Sequence, residues 1–151
     1  MAQVRLRSPE YTLGGMQTST IIRRLPLAAM AAAAALLLAA CGGTSAIHTV
    51  DASTFATQAQ TSGVTVIDVR TPGEFAAGHI ANAINIDVEG GAFDAGIAAL
   101  DKAGTYAVYC HSGRRSLIAA NTMADAGFTN IYNLDGGIGA WGAAGYSLVT
   151  N

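Results

Sequence analysis

Short apolar runs rich in β-branched residues alternate with helical segments from residue 47 onward. The clearest run, residues 64–69, is largely apolar, which is typical of a strand buried on both faces of a parallel sheet. Thr71-Pro72-Gly73-Glu74 follows it, and a threonine cap, a proline at the first helical position and an acidic first turn predict a helix start. Because strands that alternate with helices form parallel sheets through right-handed crossovers, the pattern predicts an α/β domain whose central parallel sheet is flanked by helices.

The same patterns place the remaining elements. The predicted strands span residues 46–50, 64–69, 83–86, 106–109 and 131–134, and the predicted helices start near Asp51 or Ser53 and at Thr71 and span residues 93–100, 115–126 and 137–143. Parallel sheets of this kind place their sites at the carboxyl ends of the strands. Two polar segments fall there, Asp68-Val69-Arg70 and residues 110–115.

The bulk composition excludes some classes of partner. The chain has 151 residues, of which 12% are charged, and a net charge of −2. It has no basic stripe and no basic residues interleaved with aromatic ones, so no nucleic-acid partner is expected. Residues 47–151 are near the common size of a single domain, and we expect a monomer.

Cys110 ends a predicted strand and precedes a predicted helix across a short loop. Inward backbone N–H groups and the helix dipole favour a thiolate at such a position. Gly113 can adopt the positive φ of a tight loop, and two arginines add positive charge. A lone cysteine is otherwise often a small buried core residue, but the loop chemistry favours a nucleophile. We therefore predict Cys110 as catalytic, with a substrate-binding loop of five residues: His111, Ser112, Gly113, Arg114 and Arg115.

Three ordered segments resemble the signatures of rhodanese domains. Residues 66–75 with Gly78-His79-Ile80 resemble the first signature, residues 109–116 resemble the active-site loop, and residues 134–137 with Trp141 resemble the closing signature. The resemblance covers almost all of residues 47–146. It implies a three-layer α/β domain and a sulfurtransferase that needs no metal or organic cofactor. It also implies that Cys110 accepts sulfane sulfur from thiosulfate or a persulfide donor and passes it to a thiol, cyanide or an acceptor protein.

Loop length separates two chemistries within this resemblance. Rhodaneses have six residues from the cysteine to the arginine that opens the helix, whereas phosphatase and arsenate-reductase relatives have seven. The count from Cys110 to Arg115 is six, which favours sulfur transfer. A persulfide carrier or binding module for a partner protein remains the main alternative, followed by an arsenate reductase or phosphatase.

Asp68 and Arg70, which precede the helix predicted to start at Thr71, are expected to support the site. Asp68 and Arg70 are charged residues at the end of an apolar strand. We expect Arg70 to pair with Glu74, four positions later, and Asp68 to hold nearby loop N–H groups. A direct contact with substrate is the less favoured interpretation.

Two histidines and the tryptophan also receive structural interpretations. His79 is expected to make a hydrogen bond within its turn and not to bind a metal, since no second ligand lies at metal spacing. His111 is expected to point away from Cys110 and not to act as a general base, because a thiolate of low pKa needs none. Trp141 is expected in the core.

Residues 16–40 have the three-part layout of a secretory signal. Arg23 and Arg24 form the positive start, and the uncharged apolar run of residues 25–40 is shorter than the roughly 20 residues of a bilayer span. Its end, Leu38-Ala39-Ala40-Cys41, resembles the lipobox of bacterial lipoproteins, which implies lipidation of Cys41 and cleavage before it. Residues 41–46 then form a flexible linker. An uncleaved transmembrane anchor is the alternative.

We accordingly expect an exported protein, lipid-anchored to a bacterial membrane and facing the periplasm or the cell exterior. The two or three acyl chains of such lipoproteins anchor firmly, whereas one chain is marginal. A lipidated Cys41 would have no thiol free for a disulfide with Cys110. Residues 1–15 do not fit the signal layout: either translation starts at Met16 or they form an extended n-region.

Overall fold

The computed structural model describes residues 45–150, so the predictions for residues 1–15, the signal segment 16–40 and Cys41 lie outside the described residues. Strands and helices alternate through this part of the chain. The strands are β1 (Ile47–Val50), β2 (Val64–Asp68), β3 (Ile84–Asn85), β4 (Thr105–Tyr109) and β5 (Asn130–Leu134), and the helices are α1 (Ala52–Ala59), α2 (Pro72–Ala77), α3 (Phe93–Ala98), α4 (Arg114–Asp125) and α5 (Gly137–Ala143). In residues 45–150, no helix is both long and apolar enough to cross a membrane.

The five strands form one sheet in the order β1-β5-β4-β2-β3, and every neighbouring pair is parallel. β4 lies at the centre, with β2 on one side and β5 on the other. The segments that follow β2, β4 and β5 therefore meet at one edge of the sheet. The predicted α/β fold with a parallel central sheet is confirmed.

Helices cover both faces of the sheet. The buried residues on the face covered by α3 and α4 include Ile67, Phe93, Val108, Cys110, Ala119 and Met123. On the other face, Phe55 of α1 makes edge-to-face contacts with Tyr109 and with Trp141 of α5, with ring centroids 6.2 Å apart in each pair. Trp141 is thus a core residue, as expected. Because side chains alternate along a strand, Tyr109 and Cys110 point to opposite faces.

Local sequence signals set the ends of the helices. Thr71 caps α2 with a complete capping box, in which its hydroxyl accepts from the Glu74 N–H and the Glu74 carboxylate accepts from the Thr71 N–H. Asp51 caps α1 by accepting from the Thr54 N–H at 2.8 Å. Gly127, with φ of +96°, follows the last turn of α4 and ends it as predicted.

Candidate active site

The loop that carries Cys110 connects the end of β4 to the start of α4. Gly113 caps α4 in the left-handed conformation, with φ of +90°, as its position predicted. A Cβ atom at Gly113 would also lie 3.1 Å from the backbone nitrogen of Gly136, which belongs to the segment after β5. The loop therefore turns tightly and packs against a second loop.

The thiol of Cys110 is completely buried but not surrounded by apolar groups alone. Its Sγ accepts a hydrogen bond from the Gly113 N–H at 3.1 Å. The Ser116 hydroxyl, in the first turn of α4, lies 3.5 Å from the Sγ and 3.1 Å from the Gly113 carbonyl oxygen. Since a hydroxyl has only one proton, Ser116 can turn that proton toward the sulfur when the thiol ionises.

These contacts oppose the effect of burial on ionisation. Burial by itself raises the pKa of the Cys110 thiol. Hydrogen bonds from the Ser116 hydroxyl and from the backbone N–H groups of Ser116, Ser112 and Gly113 lower it further than burial raises it, so the pKa falls below its ordinary value. An inert core cysteine has the opposite shift. The environment therefore favours a thiolate.

The first turn of α5 holds the cysteine loop through backbone hydrogen bonds. The Ile138 N–H donates to the Cys110 carbonyl oxygen at 2.9 Å, and the Gly139 N–H donates to the His111 carbonyl oxygen at 3.3 Å. Gly137 has φ of +57°, and a Cβ atom there would lie 2.5 Å from the Cys110 carbonyl oxygen. Only glycine fits at this contact, which gives the closing signature a structural reason.

Arg70 and Asp68 form a buried pair, and the predicted Arg70–Glu74 pair is wrong. The Arg70 Nη2 lies 2.6 Å from the Asp68 Oδ2, and the Nε lies 3.0 Å from both carboxylate oxygens. Nη2 also donates to the Gly78 carbonyl oxygen at 2.7 Å. The Asp68 carboxylate is fully buried, so it needs a cation, and Arg70 supplies one by folding back. Asp68 also accepts from the Arg70 backbone N–H, as predicted for a loop N–H.

Glu74 instead pairs with Arg115 of α4. The Arg115 Nη2 lies 2.7 Å from the Glu74 Oε1 and the Nη1 lies 2.9 Å from the Oε2, which makes the contact bidentate. Nη1 also donates to the Glu89 Oε2 at 3.3 Å. The hydrogen bond from Arg115 lowers the pKa of Glu74 to about 2, against the opposing effect of burial and with help from Thr71.

The guanidinium of Arg115 makes no hydrogen bond with Cys110 within residues 45–150, but it lies within electrostatic reach. The hydrogen bond with Glu74 is the main cause that raises the pKa of Arg115, and the charge of Cys110 contributes in the same direction. The predicted contact of Arg115 with substrate therefore stays a prediction. In the structure, the Arg115 guanidinium is already bound to the carboxylates of Glu74 and Glu89.

The other loop residues face solvent. Ser112, Arg114 and His111 are exposed, and His111 lines a cleft of about 280 Å³ together with Arg70 and Ile138. The orientation of the His111 side chain away from the sulfur stays a prediction. Their predicted roles in substrate binding stay predictions.

His79 is buried and makes the expected local hydrogen bond. Its Nδ1 lies 3.0 Å from the Phe75 carbonyl oxygen, and its ring stacks on Phe75 with centroids 3.8 Å apart. Because a carbonyl oxygen only accepts, Nδ1 carries the proton. In the described part of the chain, no three His, Cys, Asp or Glu side chains lie close enough together to hold a metal ion.

Three contributors to the site were missed from the sequence. They are the Ser116 hydroxyl, the N–H groups of Ile138 and Gly139, and the Glu89 carboxylate. A hydroxyl residue in the first turn after the loop is a signal that could have identified Ser116. The other two depend on which loops meet across the sheet, which no local pattern reports.

Known proteins are similar to this chain in sequence and in fold. The family model for the rhodanese-like domain matches residues 51–144. Thiosulfate sulfurtransferase GlpE of Pseudomonas aeruginosa (strain LESB58) is 38% identical over 86 residues, which cover 57% of this chain and 76% of that protein. A sulfurtransferase of Allochromatium vinosum is 33% identical over 91 residues, which cover 60% of this chain and 83% of that protein.

Solved structures agree with the sequence comparisons. A rhodanese-related protein from Thermoplasma volcanium superimposes with a TM-score of 0.61 and 32% identity, over 69% of this chain and 99% of that one. A rhodanese-like domain protein from Staphylococcus aureus gives a TM-score of 0.59 and 26% identity, over 69% and 98% of the two chains. The resemblance seen in the three signatures is confirmed, and this chain belongs to the rhodanese-like domain family.

Proposed function

We propose that this protein is a sulfurtransferase that moves sulfane sulfur from thiosulfate or a persulfide donor to a thiol or cyanide acceptor through a persulfide on Cys110. The environment of the Cys110 sulfur carries the proposal. It is buried away from water, yet hydrogen-bond donors surround it and lower its pKa. Family membership and the printed activity of the relatives, thiosulfate sulfurtransferase, support the same reaction class.

In the first half-reaction, the Cys110 thiolate attacks the outer sulfur of thiosulfate. The sulfur–sulfur bond of the donor breaks, sulfite leaves with the electron pair, and a Cys110 persulfide anion remains. No proton has to be transferred, which fits the absence of a general base from the proposed mechanism. The N–H groups of Ser112, Gly113 and Ser116 that favour the thiolate also favour the persulfide anion, because both species carry one negative charge.

In the second half-reaction, the acceptor attacks the terminal sulfur of the persulfide. Cyanide leaves as thiocyanate and a thiolate leaves as a new persulfide, and the Cys110 thiolate is restored in both cases. The two substrates never need to be bound together, so we expect ping-pong kinetics. The reaction uses no metal or organic cofactor.

The six-residue loop supports this reaction over phosphate or arsenate chemistry. A persulfide carrier for one partner protein would use the same intermediate with little turnover on small molecules. Steady-state turnover of thiosulfate with cyanide separates the enzyme from the carrier. A persulfide that forms on Cys110 without turnover would favour the carrier.

The decisive variant is Cys110→Ser, which keeps the shape of the side chain but replaces the thiol with a hydroxyl that does not ionise near neutral pH. We expect a folded protein that has lost sulfur transfer almost completely. Purified wild-type protein treated with thiosulfate should gain the mass of one sulfur atom on the tryptic peptide of residues 103–114. Absence of that adduct, or full activity in a folded Cys110→Ser variant, would contradict the proposal.

For the N-terminal segment, we propose export and lipid anchoring to a bacterial membrane through Cys41, with the domain facing the periplasm or the cell exterior. The apolar run that ends at Leu38-Ala39-Ala40-Cys41 supports this proposal. A Cys41→Ser variant should accumulate as an uncleaved precursor without lipid. Cleavage before residue 41 and unchanged partition into the membrane in that variant would argue against a lipoprotein.

A further inference from the structure

The two carboxylates bound to Arg115 are held with unequal strength. Glu74 makes two hydrogen bonds of 2.7 and 2.9 Å with the guanidinium and is also bound by the Thr71 N–H and hydroxyl. Glu89 makes one contact of 3.3 Å, its side chain is 56% exposed, and within residues 45–150 its carboxylate has no other hydrogen-bond partner. A single exposed contact of this length contributes little to stability and exchanges readily with solvent.

The backbone around Glu89 keeps this carboxylate close to the site but leaves it free to move away. The Ile86 N–H donates to the Asp68 carbonyl oxygen at 2.9 Å, and the Val88 N–H donates to the Val69 carbonyl oxygen at 3.2 Å. These two bonds fix the segment before Glu89 to the end of β2. Two glycines follow Glu89, and the second of them has φ of +73°. The side chain can therefore leave Arg115 while the anchoring bonds stay in place.

Arg115 has one hydrogen-bonding position that is easily exchanged. Its Nη1 carries two N–H groups, of which one faces Glu74 and the other faces Glu89. An anion that approaches the cysteine loop meets a guanidinium whose position on the Glu74 side is firmly occupied. The position held by Glu89 is one that such an anion can take by displacing a weakly held carboxylate.

From this geometry, and resting on the proposed function, we propose that Glu89 determines donor specificity. Its carboxylate competes with anionic sulfur donors for Arg115 and thereby biases the Cys110 thiol towards donors of lower negative charge. Glu89 is a positioning and specificity residue in this scheme and takes no part in the chemical step.

Neutralising Glu89 should raise the reaction rate of anionic reagents more than that of neutral ones. Glu89→Gln keeps the size of the side chain and removes its charge. We expect kcat/KM for thiosulfate to rise about two- to fivefold, the range expected for one exposed ion pair, mainly through a lower KM. Because an exposed charge is screened by salt, the increase should shrink at high ionic strength.

A chemical assay tests the same selectivity without any sulfur transfer. The full-length chain is treated with iodoacetate, an anion, or with neutral iodoacetamide, and alkylation of Cys110 is followed on the peptide of residues 103–114. Glu89→Gln should raise the ratio of the two rates by about two- to fivefold. Asp94→Asn is the matched control, since it removes the same charge from an exposed residue of the neighbouring helix α3 that makes no contact with Arg115.

A double-mutant cycle separates competition for Arg115 from general repulsion of anions. If Glu89 acts through the guanidinium, the effect of Glu89→Gln on the rate ratio should disappear when Arg115 is already alanine. A general electrostatic effect would persist in that background. This measurement also excludes a purely structural role, which would change both alkylation rates equally.

The outcomes show separately whether the role of Glu89 fails and whether the proposed sulfurtransferase function fails. An unchanged rate ratio in Glu89→Gln, an equal rise in Asp94→Asn, or a rise that persists with Arg115→Ala would overturn the role of Glu89. If the ratio rises as expected but the wild-type protein forms no Cys110 persulfide from thiosulfate, the role in anion selectivity stands and the sulfurtransferase proposal fails.

Discussion

Two arginines near the same edge of the sheet bind carboxylates in opposite ways. Arg70 and Asp68 form a pair whose side chains are 5% and 0% exposed, and the guanidinium also lies 5.8 Å from the centre of the Tyr109 ring. Arg115 is 14% exposed, but its partners Glu74 and Glu89 are 33% and 56% exposed. The Asp68–Arg70 pair is almost entirely buried, whereas the carboxylates that bind Arg115 are partly exposed to solvent.

The difference in exposure determines which of the two guanidinium groups can exchange its carboxylate for another anion. A buried ion pair is held in one arrangement, because removing either partner leaves an uncompensated charge in a medium that solvates it poorly. Separating a partly exposed pair costs little free energy, since water or another anion can replace a carboxylate. Arg70 therefore supports the end of β2, whereas Arg115 is the cation that we propose for contact with an anionic donor.

The largest expected effect comes from breaking the buried pair. Arg70→Met replaces the arginine with an uncharged side chain and leaves the Asp68 carboxylate buried without its partner. We expect the free energy of unfolding to fall by about 3–5 kcal/mol, measured by urea denaturation. The double variant Asp68→Asn/Arg70→Met should lose less than the two single variants together. A loss below about 1 kcal/mol in Arg70→Met would mean that the pair is not a structural support.

Removing the open pair should affect activity more than stability. Arg115→Ala takes away a charge-assisted contact of roughly 1.5–3 kcal/mol, so kcat/KM for thiosulfate should fall about tenfold to 150-fold. It also removes a positive charge that acts on the thiol, which should raise the pKa of Cys110. The free energy of unfolding should change by no more than about 1 kcal/mol.

Arg115→Lys serves as the control for this prediction. A lysine restores the charge but cannot form the bidentate contact with Glu74, so it should recover only part of the activity. Unchanged kinetics on thiosulfate in Arg115→Ala would show that the open pair does not serve the substrate. Full recovery with lysine would show that charge alone matters.

The smallest expected effect is the pH dependence of the open pair. Folding lowers the pKa of Glu74 from its usual 4.5 to about 2. The stabilisation is therefore fully present above about pH 4.5 and is lost as the pH falls towards 2. Because a third of the side chain is exposed, we expect about 1 kcal/mol or less.

Comparison with Glu74→Gln measures this contribution. Glutamine still caps α2 but does not ionise, so the cap is retained. The free energies of unfolding of the two proteins should differ at neutral pH and converge as the pH approaches 2. A difference that stays constant through the acid range would contradict the assignment to the Glu74–Arg115 pair.

The sequence predicted the features that depend on neighbouring residues. The Thr71 capping box and the positive φ of Gly113 follow from the residue types and the turns in which they lie. The position of Cys110 between a strand and a helix follows in the same way, and the resemblance to rhodanese domains agrees with it. The role of each loop residue stays a prediction that the experiments above test.

Features that depend on the order of the strands could not be predicted. Spacing along a helix suggested Glu74 as the partner of Arg70, but Glu74 binds Arg115, 41 positions away. A fully buried Asp68 settles the choice, since it must be paired, and burial is set by the whole fold. Glu89 lies on an irregular segment with no periodicity, so nothing in the sequence indicated its contact.

The contact of Gly137, Ile138 and Gly139 with the cysteine loop also determines when during synthesis that loop can be held in place. These residues follow Cys110 in the chain, and β5, which precedes them, lies between β1 and β4. A ribosome releases the N-terminal part first, so a nascent chain exposes Cys110 before the residues that hold its loop exist. In such a chain the sheet is still missing β5, one of its inner strands. The loop that carries the thiol therefore gains the two hydrogen bonds from Ile138 and Gly139 only after residues 137–139 have been synthesised.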